Sequence, residues 1–236
     1  MTLKLYFAPG ACSFVPHSLL EASGAPFEPV LVKLHKGEQN TPEYRAINPR
    51  GQVPVLVDGD MVITQILAIV GYLDGKFPQL ELLPREPLAR AKAMETLAWM
   101  NNTVHPTFTH VFMPFKFSDK PEVQADIKAH AAQMYRPMLA DIEALAMQAA
   151  ARGHAFLGGQ QFGPLDAYAL TLLRWGGFAG IDPAGFPTLW AHVQKIAELP
   201  AVARAIERER LQPHVYKAAW TTGSFGSRPT PHTART

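Results

Sequence analysis

The run NPRGQVPVLVDGDMVIT occupies residues 48–64 and carries the densest local structural signals in this chain of 236 residues. Its first four residues, Asn48 to Gly51, have the composition of a turn. The segments 53–57 and 61–64 are apolar and rich in β-branched residues, and Asp58-Gly59 between them is a strong signal for the turn of a hairpin. The run therefore predicts a turn followed by two antiparallel strands.

The sequence on either side of this hairpin alternates between strand and helix patterns. Pro29 lies inside the second strand, and because proline has no N–H for a sheet ladder, we expect that strand at an edge. The predicted elements are a strand at Leu3–Phe7, a helix at Phe14–Ala22, a strand at Phe27–Val32, a short helix at Pro42–Ile47, the hairpin, and a helix at Gln65–Asp74. Residues 1–80 are thus predicted to form one α/β domain with the order βαβαββα.

The second part of the chain, residues 88–212, is predicted to be entirely helical and follows a proline-rich linker. Its predicted helices are Leu88–Asn102, Pro121–Arg152, Pro164–Phe178, Pro187–Glu198 and Pro200–Arg210. Pro137 should kink the longest of them, and Gly153 should end it. Residues 213–236 form a tail that is rich in Ser, Thr, Pro and Gly from Thr221 onward, and we expect it to be mobile or to lie on the surface.

The composition excludes several classes of protein. Hydrophobic residues make up 47% of the chain, enough for a substantial core, and the net charge is only +2, without the basic stripe of a nucleic-acid-binding protein. No apolar run is long enough to span a membrane. With one cysteine and no secretory leader pattern, the chain is expected to be cytoplasmic. The nine histidines show no metal-binding spacing, and His105 and His110, five residues apart, do not share a helical face, so no metal is expected.

The single cysteine, Cys12, lies in the segment APGACS, between the first strand and the first helix. Unpaired N–H groups and the helix dipole at a helix start favour a thiolate over a thiol. A buried cysteine that acts as a small hydrophobe is the alternative. Because residue 15 is Val, there is no Cys-x-x-Cys pair for a dithiol cycle within one chain.

These motifs together resemble the glutathione transferases, and in particular the bacterial beta class. The resemblance spans roughly residues 3–210. It is carried by Ala8-Pro9-Gly10-Ala11-Cys12-Ser13 with Pro16-His17, by the run at 48–57, by Leu165-Asp166-Ala167-Tyr168, and by Leu173-Arg174-Trp175. It implies a thioredoxin-like N-terminal domain followed by an all-α domain. Gly163-Pro164-Leu165-Asp166 resembles the N-capping box of that family, a folding element in which Gly163 stands where the family has a hydroxyl.

The resemblance also implies a site for glutathione as a co-substrate. In thioredoxin-like folds the bond that matches Val53-Pro54 is cis, and an extended peptide can pair with Val53 as an added strand. The catalytic residues implied are Cys12 and His105, and the glutathione-binding residues implied are Lys36, Gln52, Val53, Pro54, Gln65 and Ile66. The alternatives without a binding role are that residues 52–54 only shape a turn and that His105 faces water or a subunit contact. His17 is expected to be structural.

Four residues depart from the family pattern around this ligand. Gln65 and Ile66 replace the Glu and the Ser or Gly that hold the γ-glutamyl end, so a negative charge and a hydroxyl are missing. Ala98 replaces an asparagine that helps to order the thiol site. Pro106 replaces a lysine, and because proline removes an N–H, the helix should bend or stop near His105.

Three functions remain open from the sequence. The leading one is a glutathione transferase that joins the glutathione thiolate to a hydrophobic electrophile, as a homodimer with a role in detoxification. The second uses Cys12 for thiol-disulfide exchange or peroxide reduction. The third is a binding protein of the same fold without turnover. Val111, Phe112, Met113, Phe115 and Phe117 form an apolar cluster that would line the electrophile site or pack between domains.

Overall fold

A four-stranded mixed sheet forms the N-terminal part of the chain. The computed structural model describes residues 2–212 and 214–217. The strands are β1 (Leu3–Phe7), β2 (Phe27–Leu31), β3 (Val55–Asp58) and β4 (Met61–Thr64), in the order β2-β1-β3-β4. β1 pairs parallel with β2 and antiparallel with β3, and β3 and β4 form the predicted hairpin. β2, which contains Pro29, lies at an edge as predicted.

Three helices cover the two faces of this sheet: α1 (Phe14–Ser23), α2 (Pro42–Ile47) and α3 (Ile66–Lys76). On one face, Leu5 of β1 and Leu56 of β3 pack with residues of α1 and α3 in the main core. On the other face, Tyr44 of α2 packs with Val55 and Val32 in a small separate cluster. The alternation of side chains along each strand produces this division.

The rest of the described chain is helical, which confirms the predicted fold class. Its helices are α4 (Pro87–Trp99), α5 (His105–Phe112), α6 (Pro121–Ala151), α7 (Pro164–Gly176), α8 (Pro187–Ala197) and α9 (Pro200–Glu209). A π-helical turn, Met100–Val104, joins α4 to α5. Short 3-10 turns occur at Leu34–Lys36, Glu38–Asn40, Pro78–Leu80, Pro114–Lys116, Gly177–Ala179 and Pro183–Gly185.

Several predicted bounds differ from those observed. β3 begins at Val55 rather than at residue 53, after the Val53–Pro54 peptide bond, which is cis as expected. α6 continues through Pro137 as one helix and ends at Ala151, two residues before Gly153. The helix α5 was not predicted as a separate element. The predicted tail falls almost wholly on residues 213 and 218–236, which lie outside the described residues.

The helix α7 is the centre of the helical part. Every residue from Pro164 to Gly176 except Arg174 is buried. Its start carries the predicted capping box, in which the side chain of Asp166 accepts the Gly163 N–H at 2.9 Å. One continuous core includes side chains of the sheet, α1 and α7, so the two parts of the chain pack directly on each other. Within the described residues, no helix is long and apolar enough to cross a lipid bilayer.

Candidate active site

The cis peptide bond at Val53–Pro54 forms a corner just before β3. Two side chains hold the preceding residue in place: Tyr44 Oη and Asn48 Nδ2 each donate to the Gln52 carbonyl at 2.8 Å. Because the pairing of β3 with both of its neighbours begins at Val55, the sheet does not use the main chain of Val53. Pro54 is buried and Val53 only half-buried. The corner therefore has the form that could pair with an extended peptide.

Cys12 lies against this corner. Its Sγ donates to the Val53 carbonyl at 3.6 Å, which brings together two residues that the sequence assigned to one site. Ser13 closes the loop that carries Cys12, because its Oγ accepts the Ala8 N–H at 3.1 Å and donates to the Ala8 carbonyl at 3.2 Å. The first helix begins at Phe14, so the predicted location of Cys12 is confirmed.

The predicted thiolate at Cys12 is wrong. The side chain is only 9% exposed, and burial raises the pKa of the thiol to about 12. The N–H groups of Cys12 and Ser13 lower this pKa, as expected at a helix start, but the loss of water outweighs them. Cys12 is therefore a protonated hydrogen-bond donor at neutral pH.

His105 opens α5 and faces α7. Its ring packs on the ring of Trp175 with 4.8 Å between centroids, and its Nδ1 is 2.9 Å from the hydroxyl of Tyr168. Trp175 Nε1 donates to the Gly10 carbonyl at 2.8 Å. Trp175 thus connects His105 with the loop of Cys12. Burial, with a smaller effect from Lys116, lowers the pKa of His105 to about 4, so the imidazole is neutral at physiological pH.

Pro106 does not end the helix that carries His105. The predicted stop is wrong: the π-helical turn at 100–104 precedes His105, and the His105 N–H bonds to the Met100 carbonyl, five residues earlier. A π-turn shifts the hydrogen-bond register by one residue, which fits the missing N–H of Pro106. α4, the turn and α5 consequently follow one another without a break.

The residues assigned to the γ-glutamyl end lie at the start of α3. Gln65 is exposed and has φ +72° and ψ +130°, an unusual backbone conformation for a residue other than glycine. The side chain of Ile66 is 3% exposed and belongs to the main core, so only its main chain can contact a ligand. Its N–H lies at a helix N-terminus, which favours anions. Lys36 and Gln52 are both exposed, Lys36 in the 3-10 turn that follows β2.

A buried acidic residue that the sequence analysis missed also holds the Cys12 loop. Glu209 Oε2 accepts the Gly10 N–H at 2.7 Å, and Glu209 Oε1 lies 2.7 Å from Nδ1 of His17. Both side chains are buried, which confirms the structural role of His17, and burial raises the pKa of Glu209. Glu209 follows Val202 and Ala205 on the buried face of α9. A charged residue on an apolar helix face was the signal in the sequence.

An aromatic row extends from His105 along the helical part. Trp175 stacks on Phe108 with 4.6 Å between centroids, and Phe108 stacks on Phe112 at 5.7 Å. Three phenylalanines are exposed: Phe112 at 53%, Phe115 at 59% and Phe117 at 46%. Val111, in contrast, is buried. Of the predicted apolar cluster, Val111 therefore belongs to the core and the three phenylalanines remain exposed. In the described part of the chain, no three His, Cys, Asp or Glu side chains are grouped as metal ligands would be.

Comparisons with known proteins point in the same direction. Residues 1–75 match the family described as glutathione S-transferase, N-terminal domain. The chain is similar to glutathione S-transferase GstA of Escherichia coli O157:H7, with 34% identity over 214 residues that cover 89% of this chain and 100% of the relative. A glutathione transferase homologue from Sulfitobacter with bound glutathione superposes with a TM-score of 0.80 at 25% identity, over 89% of this chain and 99% of the other. The bacterial beta class enzyme of Sphingomonas chungbukensis gives a TM-score of 0.74 at 28% identity, over 89% of this chain and 100% of the other.

Proposed function

Because this chain belongs to the glutathione S-transferase family and is a glutathione transferase, we propose that it joins the thiolate of glutathione to hydrophobic electrophiles. The observation that carries the proposal is the contact between Cys12 Sγ and the Val53 carbonyl at the cis Val53–Pro54 corner. This contact places the S–H group of Cys12, a hydrogen-bond donor, beside the main chain with which an extended tripeptide would pair. The relative from Sulfitobacter, which carries bound glutathione, supports glutathione as the peptide.

In the proposed reaction, the main chain of glutathione pairs with Val53 and its cysteine sulfur lies near Cys12. The neutral imidazole of His105 accepts the thiol proton, directly or through water. The resulting thiolate attacks an electrophilic carbon of the second substrate and forms a C–S bond, while the leaving group departs with its bonding electrons or the electrons move onto a conjugated acceptor. The Cys12 S–H, which donates to the Val53 carbonyl in the free chain, turns to donate to the glutathione thiolate and stabilises it.

The protonated state of Cys12 favours conjugation over the exchange and peroxidase alternative. A thiol-disulfide or peroxide reaction needs Cys12 as a thiolate, because the thiolate is the nucleophile. With its pKa raised to about 12, almost none of Cys12 is ionised at neutral pH. Glutathione, whose thiol would lie in a more open position, is the better source of the attacking sulfur.

Glutathione binding is proposed to be weaker than in relatives with the full γ-glutamyl site. Ile66 offers no hydroxyl, and Gln65 offers no negative charge to the ammonium group. Loss of one hydrogen bond to a charged group costs about 1.5–3 kcal/mol, which corresponds to an affinity roughly 10- to 150-fold lower. The anion-favouring start of α3 retains part of the interaction. Lys36 and Gln52, which are both exposed, are the proposed remaining contacts.

The second substrate is proposed to lie on three exposed phenylalanines at the end of α5 and in the turn that follows it. Phe112, Phe115 and Phe117 together present apolar surface on the α5 side of His105, and exposed apolar patches mark interaction sites.

A homodimer and a cytoplasmic location complete the proposal. On the edge strand β4, Met61 is 67% exposed and Val62 is 45% exposed, and Leu88 of α4 is 67% exposed. Exposed apolar side chains on an unpaired edge fit a subunit contact. Light scattering during size-exclusion chromatography tests it: we expect the mass of two chains, and a monomer would contradict this part. The lone cysteine supports a reducing compartment.

The function is tested by calorimetric titration with glutathione, followed by assays with a panel of electrophiles and with mixed disulfides. We expect millimolar or tighter binding, turnover of electrophiles, and a much larger effect of Cys12→Ala on any disulfide exchange than on conjugation. Binding without turnover on every electrophile would instead favour the binding-protein alternative. Absence of glutathione binding at millimolar concentration would contradict both enzymatic functions.

A further inference from the structure

Three side chains form a hydrogen-bonded row beside the candidate active site. His105 Nδ1 lies 2.9 Å from the Tyr168 hydroxyl, and that hydroxyl donates to Asn101 Oδ1 at 3.1 Å. The amide Nδ2 of Asn101 in turn donates to Asn102 Oδ1 at 2.7 Å. The row joins α7 to the π-helical turn and the start of α5, which lie more than fifty residues away along the chain.

The direction of these hydrogen bonds fixes the position of one proton on His105. Because Asn101 donates through its nitrogen to Asn102, its oxygen is the atom that accepts from Tyr168. A phenol carries one proton, and here it is directed to Asn101, so the Tyr168 oxygen can only accept from His105. The Nδ1 atom of His105 is therefore the protonated nitrogen, and Nε2 carries the free lone pair.

The surroundings keep this arrangement in place. The Tyr168 side chain is fully buried, and burial raises its pKa well above the usual value, so the phenol stays protonated. Trp175 covers the imidazole ring of His105 and restricts its rotation. Trp175 also donates from Nε1 to the Gly10 carbonyl at 2.8 Å, which links His105 to the loop that carries Cys12.

We propose that Tyr168 and Asn101 are positioning residues that hold His105 as its Nδ1–H tautomer, so that Nε2 is the atom that accepts the proton of the glutathione thiol. This inference rests on the proposed function for the role of Nε2, whereas the tautomer itself does not depend on it. The proton leaves the thiol sulfur, arrives at Nε2 and produces a short-lived imidazolium, which releases it to water because the pKa of His105 is about 4.

The experiment compares Tyr168→Phe with Tyr135→Phe. Tyr135 is a matched control, because it is also fully buried and donates one hydrogen bond, to the Leu172 carbonyl at 2.8 Å, but has no hydrogen bond to His105. Both variants keep the aromatic ring and lose one hydroxyl. The side-chain nitrogens of His105 are observed by 15N NMR, with His105→Gln used to assign them, and kcat and the KM for glutathione are measured with one electrophile.

In the unaltered protein we expect His105 to carry its proton on Nδ1. In Tyr168→Phe, the Nδ1–H loses its acceptor, so the ring should move toward the Nε2–H tautomer. The value of kcat should fall roughly tenfold, which is part of the rate enhancement that a positioned proton acceptor contributes. The KM should change by less than about twofold. Tyr135→Phe should leave the tautomer and kcat as they are.

Asn101→Ala provides a second variant, because Asn101 is half-buried and its loss disturbs the core less. Without the Asn101 oxygen, the Tyr168 proton is free to turn toward Nδ1, which should again shift His105 to the Nε2–H form. An Nε2–H ring in the unaltered protein, or an unchanged tautomer in both Tyr168→Phe and Asn101→Ala, would overturn the inference. Equal losses of kcat in Tyr168→Phe and Tyr135→Phe would also overturn it. If the unaltered protein lacks turnover, the proposed function fails, and the NMR result still decides the tautomer.

Discussion

Replacement of Glu209 by alanine should destabilise the protein strongly, because one buried carboxylate serves two partners. The variant leaves Nδ1 of the fully buried His17 and the N–H of the half-buried Gly10 without their 2.7 Å contacts. Each buried polar group left unpaired costs about 1–3 kcal/mol. Removal of one member of a buried pair costs about 3–5 kcal/mol in comparable cases. We therefore expect a loss of about 3–5 kcal/mol, which for a chain of this size lowers Tm by about 6–20 °C.

Thermal unfolding followed by circular dichroism measures this effect, and Glu207→Ala is the matched control. Glu207 lies on the same helix but on its exposed side, so its loss should change stability by less than about 0.5 kcal/mol. Glu209→Gln should fall between the two, because its amide oxygen can still accept the Gly10 N–H. A Tm for Glu209→Ala within about 2 °C of the Glu207→Ala value would refute the reasoning. A loss of roughly 1 kcal/mol alone would lower Tm by at least that much.

Four further predictions concern single residues. Gly163→Ala should cost about 1–3 kcal/mol, measured by urea unfolding, because its Cβ would lie 2.9 Å from the Leu82 carbonyl oxygen. Ile66→Ser should bind glutathione up to about 100-fold more tightly in calorimetry than Ile66→Ala, which loses the same core contact without adding a hydroxyl; equal affinities would contradict the role assigned to the missing hydroxyl. Cys12 should react with iodoacetamide at pH 7.5 far more slowly than free glutathione does, since burial raises its pKa to about 12. His105 has its pKa lowered from 6.5 to about 4, so the unfolded chain binds the extra proton between these values. The native protein should therefore lose up to about 3 kcal/mol more stability than His105→Gln as the pH falls through this range, and parallel pH curves would contradict the assignment.

Much of the fold could be predicted because its signals are local. The Asp58-Gly59 signal for the hairpin, the β-branched residues that flank it and the prolines in the first turn of most helices act within a few residues of themselves. The cis bond at Val53–Pro54 was available only through the family resemblance. The helix at 105–112 was missed as a separate element because Pro106 indicates a break, whereas the preceding π-helical turn accommodates this proline without ending the helix.

The sequence predicted which residues form the candidate site better than it predicted their protonation states. The sequence brought Cys12 and Val53 to one site and the structure joins them at 3.6 Å. It gave no indication that His105 would be neutral, since the lowered pKa arises from burial among side chains of α5 and α7. Glu209 is more than a hundred residues from Cys12 and Val53, and it lies outside every motif that carries the resemblance.

The acidity of Cys12 is set by contacts that are distant in sequence. Gly10 gives its N–H to Glu209 of α9 and its carbonyl to Trp175 of α7, so both polar groups of this loop residue are held by the helical part. Gly10 has φ +68°, a left-handed backbone conformation that favours glycine. Burial of the thiol raises its pKa, and the charge of Glu209 on α9 raises it further, so together they outweigh the N–H groups of the helix start, which favour ionisation. The protonation state of this cysteine is consequently a property of the contact between the sheet domain and the helices, and no window of sequence around residue 12 contains it.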